Sequence, residues 1–394
     1  MGVAVDERDH LMMRLPSRVE EALHTAARRP KRAEWSNDGG VTWTPARVGA
    51  AHVVPDRTAE CRYSGSAELL GVPIGRDGIN TVITQVRLFQ GIQGPRMDAP
   101  HWVPAGVYVA DRIRRTRLGA TVELLGLEDV IRAAAFPRTR TLGPALASSL
   151  VPVLAGEALP TTPIAWREGV NPRRRIPRFL AEEDRWQALS SGTDSAGAQT
   201  GIAAALGGEI YADAAGVLTI GPVPTLSDPV VWRIPHGAAM VQAAEEQTAE
   251  GLVNVWRITG DGGDGKPTVG PIWVWDDDPT SLTYAGPDPV HDPLAPQRLG
   301  LSGVRVRVAR YTSPLITSVA EAYTVGWAKL ADSLGIQASL SFTSLCHPGL
   351  EPGDVVEAEI EPGRWERHII DSCPYDLGAA AMSCTTRTTA RRLT

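Results

Sequence analysis

Lysine is nearly missing from this chain of 394 residues: only Lys31, Lys266 and Lys329 stand among its 39 basic residues. Phenylalanine is also scarce, at four against eleven tryptophans, and cysteine is limited to Cys61, Cys346, Cys373 and Cys384. The cysteines form no C-x-x-C pair and lie too far apart for a zinc knuckle, so buried, reduced thiols are expected. No run approaches the ~18–20 consecutive apolar residues of a membrane helix. The opening MGVAVDERDHLMMRL places charges where a signal peptide needs an apolar core. Neither membrane insertion nor a Sec leader is therefore expected. A net charge of -6 argues against a dedicated nucleic-acid binder, which needs clustered cations to release counterions from phosphate. What the chain has in quantity is 39 glycines and 31 prolines, and with them many turns.

The pattern along the chain implies a mainly β protein with an α+β insertion. Residues 1–33 form an N-terminal arm with a short helix after Pro16, where Ser17 and Glu20 have the capping-box spacing and Val19, Leu23 and Ala26/Ala27 share a stripe. From 34 to 142 the period changes to two, in short β-rich runs broken by Gly, Pro, Asp or Asn, as in an antiparallel barrel. Residues 143–250 loosen into Pro-rich connections and Ala-rich helical candidates, with helix expected over Arg178–Leu189 and Gly201–Leu206 and a hairpin turning at Ala214-Ala215-Gly216. In 251–394 strand character returns (252–260, 271–275, 304–311). One helix at about 318–334 follows, and four last strand candidates are expected to close a second barrel. Residues 241–300 hold ten acids against Arg257, Lys266 and Arg298.

Several motifs have a chemical and a plain reading. Ser36-Asn37-Asp38-Gly39-Gly40-Val41-Thr42-Trp43 fits the S-x-D-x-G-x-T-W Asp box of sialidase propellers, but it occurs once, and its mechanics are those of a hairpin. Asp38 is expected to accept backbone N–H bonds, Gly40 to supply positive φ and Trp43 to pack over the loop. Gly260 to Lys266 has the frame of a phosphate-binding loop, yet Pro267 replaces the Ser or Thr, and Asp261 and Asp264 repel phosphate. With Asp276-Asp277-Asp278 the same region lacks the calcium-loop pattern and reads as a solvated acidic face. Gly192 to Gly197 misses the nucleophile elbow by one residue, and the eight histidines include no H-E-x-x-H pair. Arg173-Arg174-Arg175 reads as a salt-bridged interface or a solvated loop. No catalytic residue, cofactor or metal is expected.

The stretch His347 to Val356, followed by Trp365 to Ile370 and by Arg387 in a last strand, resembles the closing barrel of tail-hub (baseplate hub) proteins of tailed phages. Its local physics is a turn, in which Pro352-Gly353 sends the chain into a strand at Asp354. Asp56-Arg57-Thr58, Arg87 to Gly91, Pro104 to Val109, and Asp278 to Ser281 with Gly286-Pro287 are similar to a minor-tail-protein family of actinobacterial phages. The resemblance implies two antiparallel β-barrels of tail-hub type joined by an α+β domain, in a structural protein at the virion tail tip, assembled in the bacterial host cytoplasm. It implies a homotrimeric ring that joins a six-fold tube to three-fold tip components. The implied partners are tail-tube or distal tail proteins, fibre or spike proteins, the tape-measure protein, and DNA only in passage. The competing expectation, from the Asp box and the tryptophans, is a cell-wall glycan-degrading enzyme or a carbohydrate-binding tail protein. In Val355–Glu361, Val356, Ala358 and Ile360 alternate with Glu357, Glu359 and Glu361. The apolar set is expected in the core and the glutamates outward, either on the channel wall, where like charge keeps DNA from sticking, or on an ordinary solvated strand face.

Overall fold

The computed structural model describes residues 15–182, 184–191, 200–237, 239–247, 252–262, 267–295, 306–334 and 338–388. A helix over Ser17–Leu23 precedes six strands: β1 (Lys31–Ser36), β2 (Thr44–Pro55), β3 (Tyr63–Leu70), β4 (Gln85–Ile92), β5 (His101–Arg115) and β6 (Gly119–Gly126). They run in the order β1-β4-β5-β6-β3-β2, all antiparallel, and a β1–β2 pairing closes the ring into a six-stranded barrel. Period-two alternation sets the inside. In β6 Ala120, Val122 and Leu124 are buried, and they meet Leu69, Val86, Leu88 and Tyr108 in the core. The helix seals one side of the barrel by packing Val19, Ala22 and Leu23 on Ile92 and Val103. Ser17 does not cap it: Pro16 holds that position with its fixed φ, no side chain caps the end, and Ala26 and Ala27 lie past the last helical residue.

The middle of the chain is α+β. Short strands β7 (Arg140–Leu142), β8 (Ala145–Leu146), β9 (Ile164–Trp166), β10 (Arg175–Ile176), β11 (Phe179–Ala181), β12 (Gly208–Ala212) and β13 (Leu218–Pro222) accompany helices over Glu128–Ala133, Ala147–Gly156, Arg185–Leu189 and Ile202–Ala205. They share a second core that includes Ile131, Leu154, Ile176, Leu189 and Ile202. The helix expected over Arg178–Leu189 is divided. Phe179 and Ala181 are buried while Leu180 is exposed, a strand alternation that pairs with β7, and Asp184 then caps a shorter helix by accepting from the Gln187 N–H at 3.0 Å.

The remaining strands are β14 (Val230–Ile234), β15 (Met240–Gln247), β16 (Val255–Gly260), β17 (Val269–Trp275), β18 (Val308–Ser313), β19 (Ala338–Leu345), β20 (Val355–Glu361), β21 (Arg364–Ser372), β22 (Tyr375–Asp376) and β23 (Ala381–Thr388). They make two sheets. One has the order β14-β20-β21-β23-β19-β15; the other, β17-β16-β18, is packed against the helix Val319–Leu334. A second closed barrel is not seen among the described residues: β14 lies parallel to β20, and there no ladder joins β14 to β15. Pro235 interrupts the backbone donors at that corner, and the chain curls on itself through Ala239 N–H to Pro235 O and Gly237 N–H to Met240 O. The strands from 255 to 313 make their own sheet, and β14 and β15, from the 143–250 segment, complete the six-stranded one. β22 crosses to pair with β2, and one continuous core joins barrel and six-stranded sheet. The helix Val319–Leu334 begins in a capping box: Ser318 Oγ accepts from Glu321 N–H at 3.3 Å and Glu321 Oε2 from Ser318 N–H at 3.2 Å. Among the described residues no helix is long and apolar enough to cross a membrane.

Candidate functional site

The densest constellation of charged side chains lies where barrel, middle unit, helix and C-terminal sheet meet. After β2, Asp56 Oδ1 accepts from the Thr58 N–H at 2.7 Å and its hydroxyl at 2.6 Å, a turn that presents Arg57 inward. Arg57 donates to Glu209 in β12 at 2.9 Å and to Asp332 near the end of the helix at 3.2 Å. Arg387 in β23 reaches the same Asp332 at 3.2 Å and Asp371 in β21 at 2.5 Å. Arg62 donates to Glu209 at 2.7 Å and to Pro352 O at 3.0 Å, and its guanidinium lies 3.4 Å from the centre of the Tyr211 ring. Burial opposes the charge on Arg57 and Arg62, yet Glu209 and its neighbours outweigh it and hold both pKa values above the ordinary range. Burial alone would raise the Glu209 carboxyl, and the two arginines hold it below its usual value.

Beside this ion network stands a group of carboxyls. Glu351 Oε1 accepts from the Tyr63 hydroxyl and the Ala214 N–H, both at 3.2 Å, and Arg167 approaches Glu351 at 3.9 Å. The Pro352-Gly353 turn, with Gly353 at φ +98°, brings Asp354 back so that its carboxylate accepts from the Glu351 N–H at 2.8 Å. Burial, then the neighbouring Glu351, pushes Asp354 up to about 8, and the same two causes push Asp213 up to about 6. Burial also raises Glu128, whose Oε1 accepts from Arg62 and Ala212 N–H groups while its Oε2 has no partner. A cleft of about 600 Å³ opens on this junction. Its arginines are matched by acids: Arg57, Arg62 and Arg387 as above, and Arg132 by Glu60 at 2.5 Å. These arginine–acid pairs fix units against one another, and Lys329, which also lines the cleft, stacks on the Tyr311 ring at 5.0 Å.

The residues singled out in the sequence are spread over the molecule. In the Asp box, Asp38 accepts from the Ser36 hydroxyl at 2.6 Å and from the Thr42 N–H at 2.9 Å, and these bonds lower its pKa to about 2. Gly40 has φ +83° and lies under Trp43, on whose ring the Arg87 guanidinium stacks at 4.3 Å. Both Asp38 oxygens are engaged by the turn, which is tied to the 78–84 loop through Asn37. In β20, Val356 and Ala358 are buried with Ile360 against them, while Glu357 receives Arg233 at 2.6 Å. Glu359 accepts from Gly363 and His236 N–H groups at 2.7 and 3.0 Å, and Glu361 is exposed. Arg174 wedges between units, donating to Glu321 at 3.0 Å and Leu315 O at 2.6 Å. Most of Gly260 to Lys266 and all of Gly192 to Gly197 lie outside the described residues. Burial raises the thiols of Cys61 to about 11 and of Cys346 to about 12, and all four cysteines are buried and free. Among the described residues no cluster has the make-up of a metal site.

Arg57 and Arg387 fall in the runs that carry the sequence resemblance; Arg62, Glu128, Glu209, Tyr211 and Asp332 do not. Glu209 and Asp332 sit in stretches that read as ordinary amphipathic strand and helix, and their partners are 55 to 275 residues away.

No protein-family model matches the chain, and no curated protein matches it in sequence. Among solved structures it is similar to a tail protein from Neisseria meningitidis (TM-score 0.58, 13% identity, 91% of this chain and 96% of that one). It is also similar to prophage tail protein gp18 from Listeria monocytogenes (0.52, 10%, 91% and 94%). A third is the 43 kDa tail protein of prophage MuSo2 from Shewanella oneidensis (0.51, 12%, 91% and 98%). The chain has the fold of these phage tail proteins, mainly β around a closed six-stranded barrel.

Proposed function

We propose that the chain is a structural virion protein, the hub of a phage tail tip, and that it is not an enzyme. The observation that carries this reading is a fold shared over 91% of the chain with three phage tail proteins. In this reading three chains form a ring. Each contributes a barrel and a six-stranded sheet, so six β units meet a six-fold tube on one side and three-fold tip components on the other. The protein is a member of the minor-tail group of actinobacterial phages and borders a channel for the genome, with Glu357, Glu359 and Glu361 on the outward face of β20 toward the lumen.

Two features support the reading. The charged junction locks barrel, middle unit and C-terminal sheet together, which suits a subunit that transmits force. None of the eleven tryptophans is fully buried, and Trp327 and Trp365 are exposed, as suits a chain with aromatic anchors for neighbours. The glycan-enzyme alternative draws on the Asp box, whose carboxylate is occupied by its own turn, and on the tryptophans, which serve equally as interface anchors. Immunogold electron microscopy of particles that carry the chain tests the proposal. Label confined to the tail tip is expected; label on the capsid, along the tube or on no particle overturns it.

A further inference from the structure

The β5–β6 hairpin carries an unusual charge for an acidic chain. Residues 111–118 hold Arg112, Arg114, Arg115 and Arg117 against Asp111. The four arginines are exposed, and Leu118 at the turn is 68% exposed. Only Glu123 opposes them, at 3.2 Å from Arg112 and 3.3 Å from Arg114, so among the described residues Arg115 and Arg117 have no acid partner. The tip is held in shape: Thr116 N–H bonds Gly119 O at 2.9 Å, and Gly71 N–H bonds Leu118 O at 2.8 Å. Arg47 of β2 lies two strands away on the same rim, opposite Leu70, which itself faces Gly119. A rigid, cationic tip with an apolar residue at its apex lacks a counterpart in its own barrel.

The counterpart is on another unit of the same chain. Residues 267–295 contain Asp276, Asp277, Asp278, Asp288 and Asp292 and no lysine or arginine. The loop after β17 is stapled from within. Buried Asp276 accepts from the Thr283 hydroxyl at 2.6 Å, and Asp278 accepts from the Thr280 N–H at 2.8 Å. Asp277 and Asp278 are left exposed, and Leu282 and Leu294 of the same segment are exposed at 39% and 60%. The segment thus carries exposed acids and exposed leucines, the opposite sign to the hairpin, while Asp288 is engaged by His291 at 2.9 Å.

We propose that the β5–β6 hairpin tip of one chain docks on the acidic 276–294 face of a second copy, a head-to-tail contact that continues around the ring. The inference rests on the hub reading above and deepens it by naming the two faces that meet. Its basis is charge complementarity: a heterologous ring needs two different matching surfaces on each subunit, and this chain carries both. Leu118 meets Leu282 and Leu294 at the centre, with arginine and aspartate at the rim. Rim charges set encounter rate and register, so the contact weakens in salt.

The test mixes full-length Arg117→Cys with full-length Asp277→Cys under mild oxidation. The four native cysteines are buried and do not compete. Disulfide-linked pairs are expected from the mixture and not from either variant alone. Arg115→Glu with Arg117→Glu should weaken self-association by about tenfold or more, and adding Asp277→Arg with Asp278→Arg in the same chain should restore it. Rings that survive charge reversal and give no mixed disulfide overturn the docking and leave the hub reading standing. A wild-type chain that stays monomeric overturns both. Binding of duplex DNA that depends on Arg115 and Arg117, without mixed disulfides, assigns the hairpin to a polyanion and also overturns the proposal.

Discussion

Glu209 is the point at which the charged junction is most exposed to a single change. Its two oxygens receive Arg57 at 2.9 Å and Arg62 at 2.7 Å, and both arginine side chains are less than a tenth exposed. Glu209→Ala removes the shared anion and leaves two guanidiniums without their main counterion. Breaking a buried pair by removing one partner costs about 3–5 kcal/mol. Arg57 retains Asp332, and the Glu209 side chain is itself 21% exposed, so the lower end, about 3 kcal/mol, is expected. Urea denaturation followed by tryptophan fluorescence measures it, as a lower midpoint at unchanged slope. The pH dependence has a defined sign. A carboxyl held below its ordinary 4.5 in the folded state adds stability above that pH, and the addition is lost as pH falls through the folded value. The gap between wild type and Glu209→Ala must therefore shrink in acid. A loss under about 1 kcal/mol, or a gap that does not change with acid, refutes the view that Glu209 joins the units.

Three further outcomes follow from the same geometry. Asp38→Ala should lower the thermal midpoint by freeing the box turn, with the difference disappearing as pH approaches about 2, where Asp38 itself protonates. Gly353→Ala has space for its methyl, 3.6 Å from Pro224, but imposes a side chain at φ +98°, so denaturation should report a loss of about 1–2 kcal/mol from backbone strain alone. Asp354, raised from 3.8 to about 8, favours the folded state while protonated, so stability should fall as pH rises across that interval. Asp354→Asn should flatten the fall, which a series of denaturation midpoints against pH measures.

Local pattern and long-range pairing differ in how far the sequence revealed them. The Asp-box turn, the burial of Val356 and Ala358, and the helix Val319–Leu334 depend on neighbours within a few residues, which a sequence pattern can carry. The capping box at Ser318 and Glu321 is equally local, whereas beside Ser17 it is Pro16 that fixes the helix start. Strand partners were not legible. β14 pairs with β20 and β16 with β18, both in parallel, and a run of alternating residues carries no mark of which distant run it will join or in what direction. The junction was hidden for the same reason: Glu209, Asp332 and Arg62 become a network only when the units that hold them are brought together.

Native mass spectrometry of the purified full-length chain tests the hub reading most directly. A dominant assembly at three times the 42.1 kDa chain mass, resolved by electron microscopy as a three-fold ring with an open centre, is the predicted result. A species of 42.1 kDa alone at every concentration, or a closed assembly without a central opening, contradicts it.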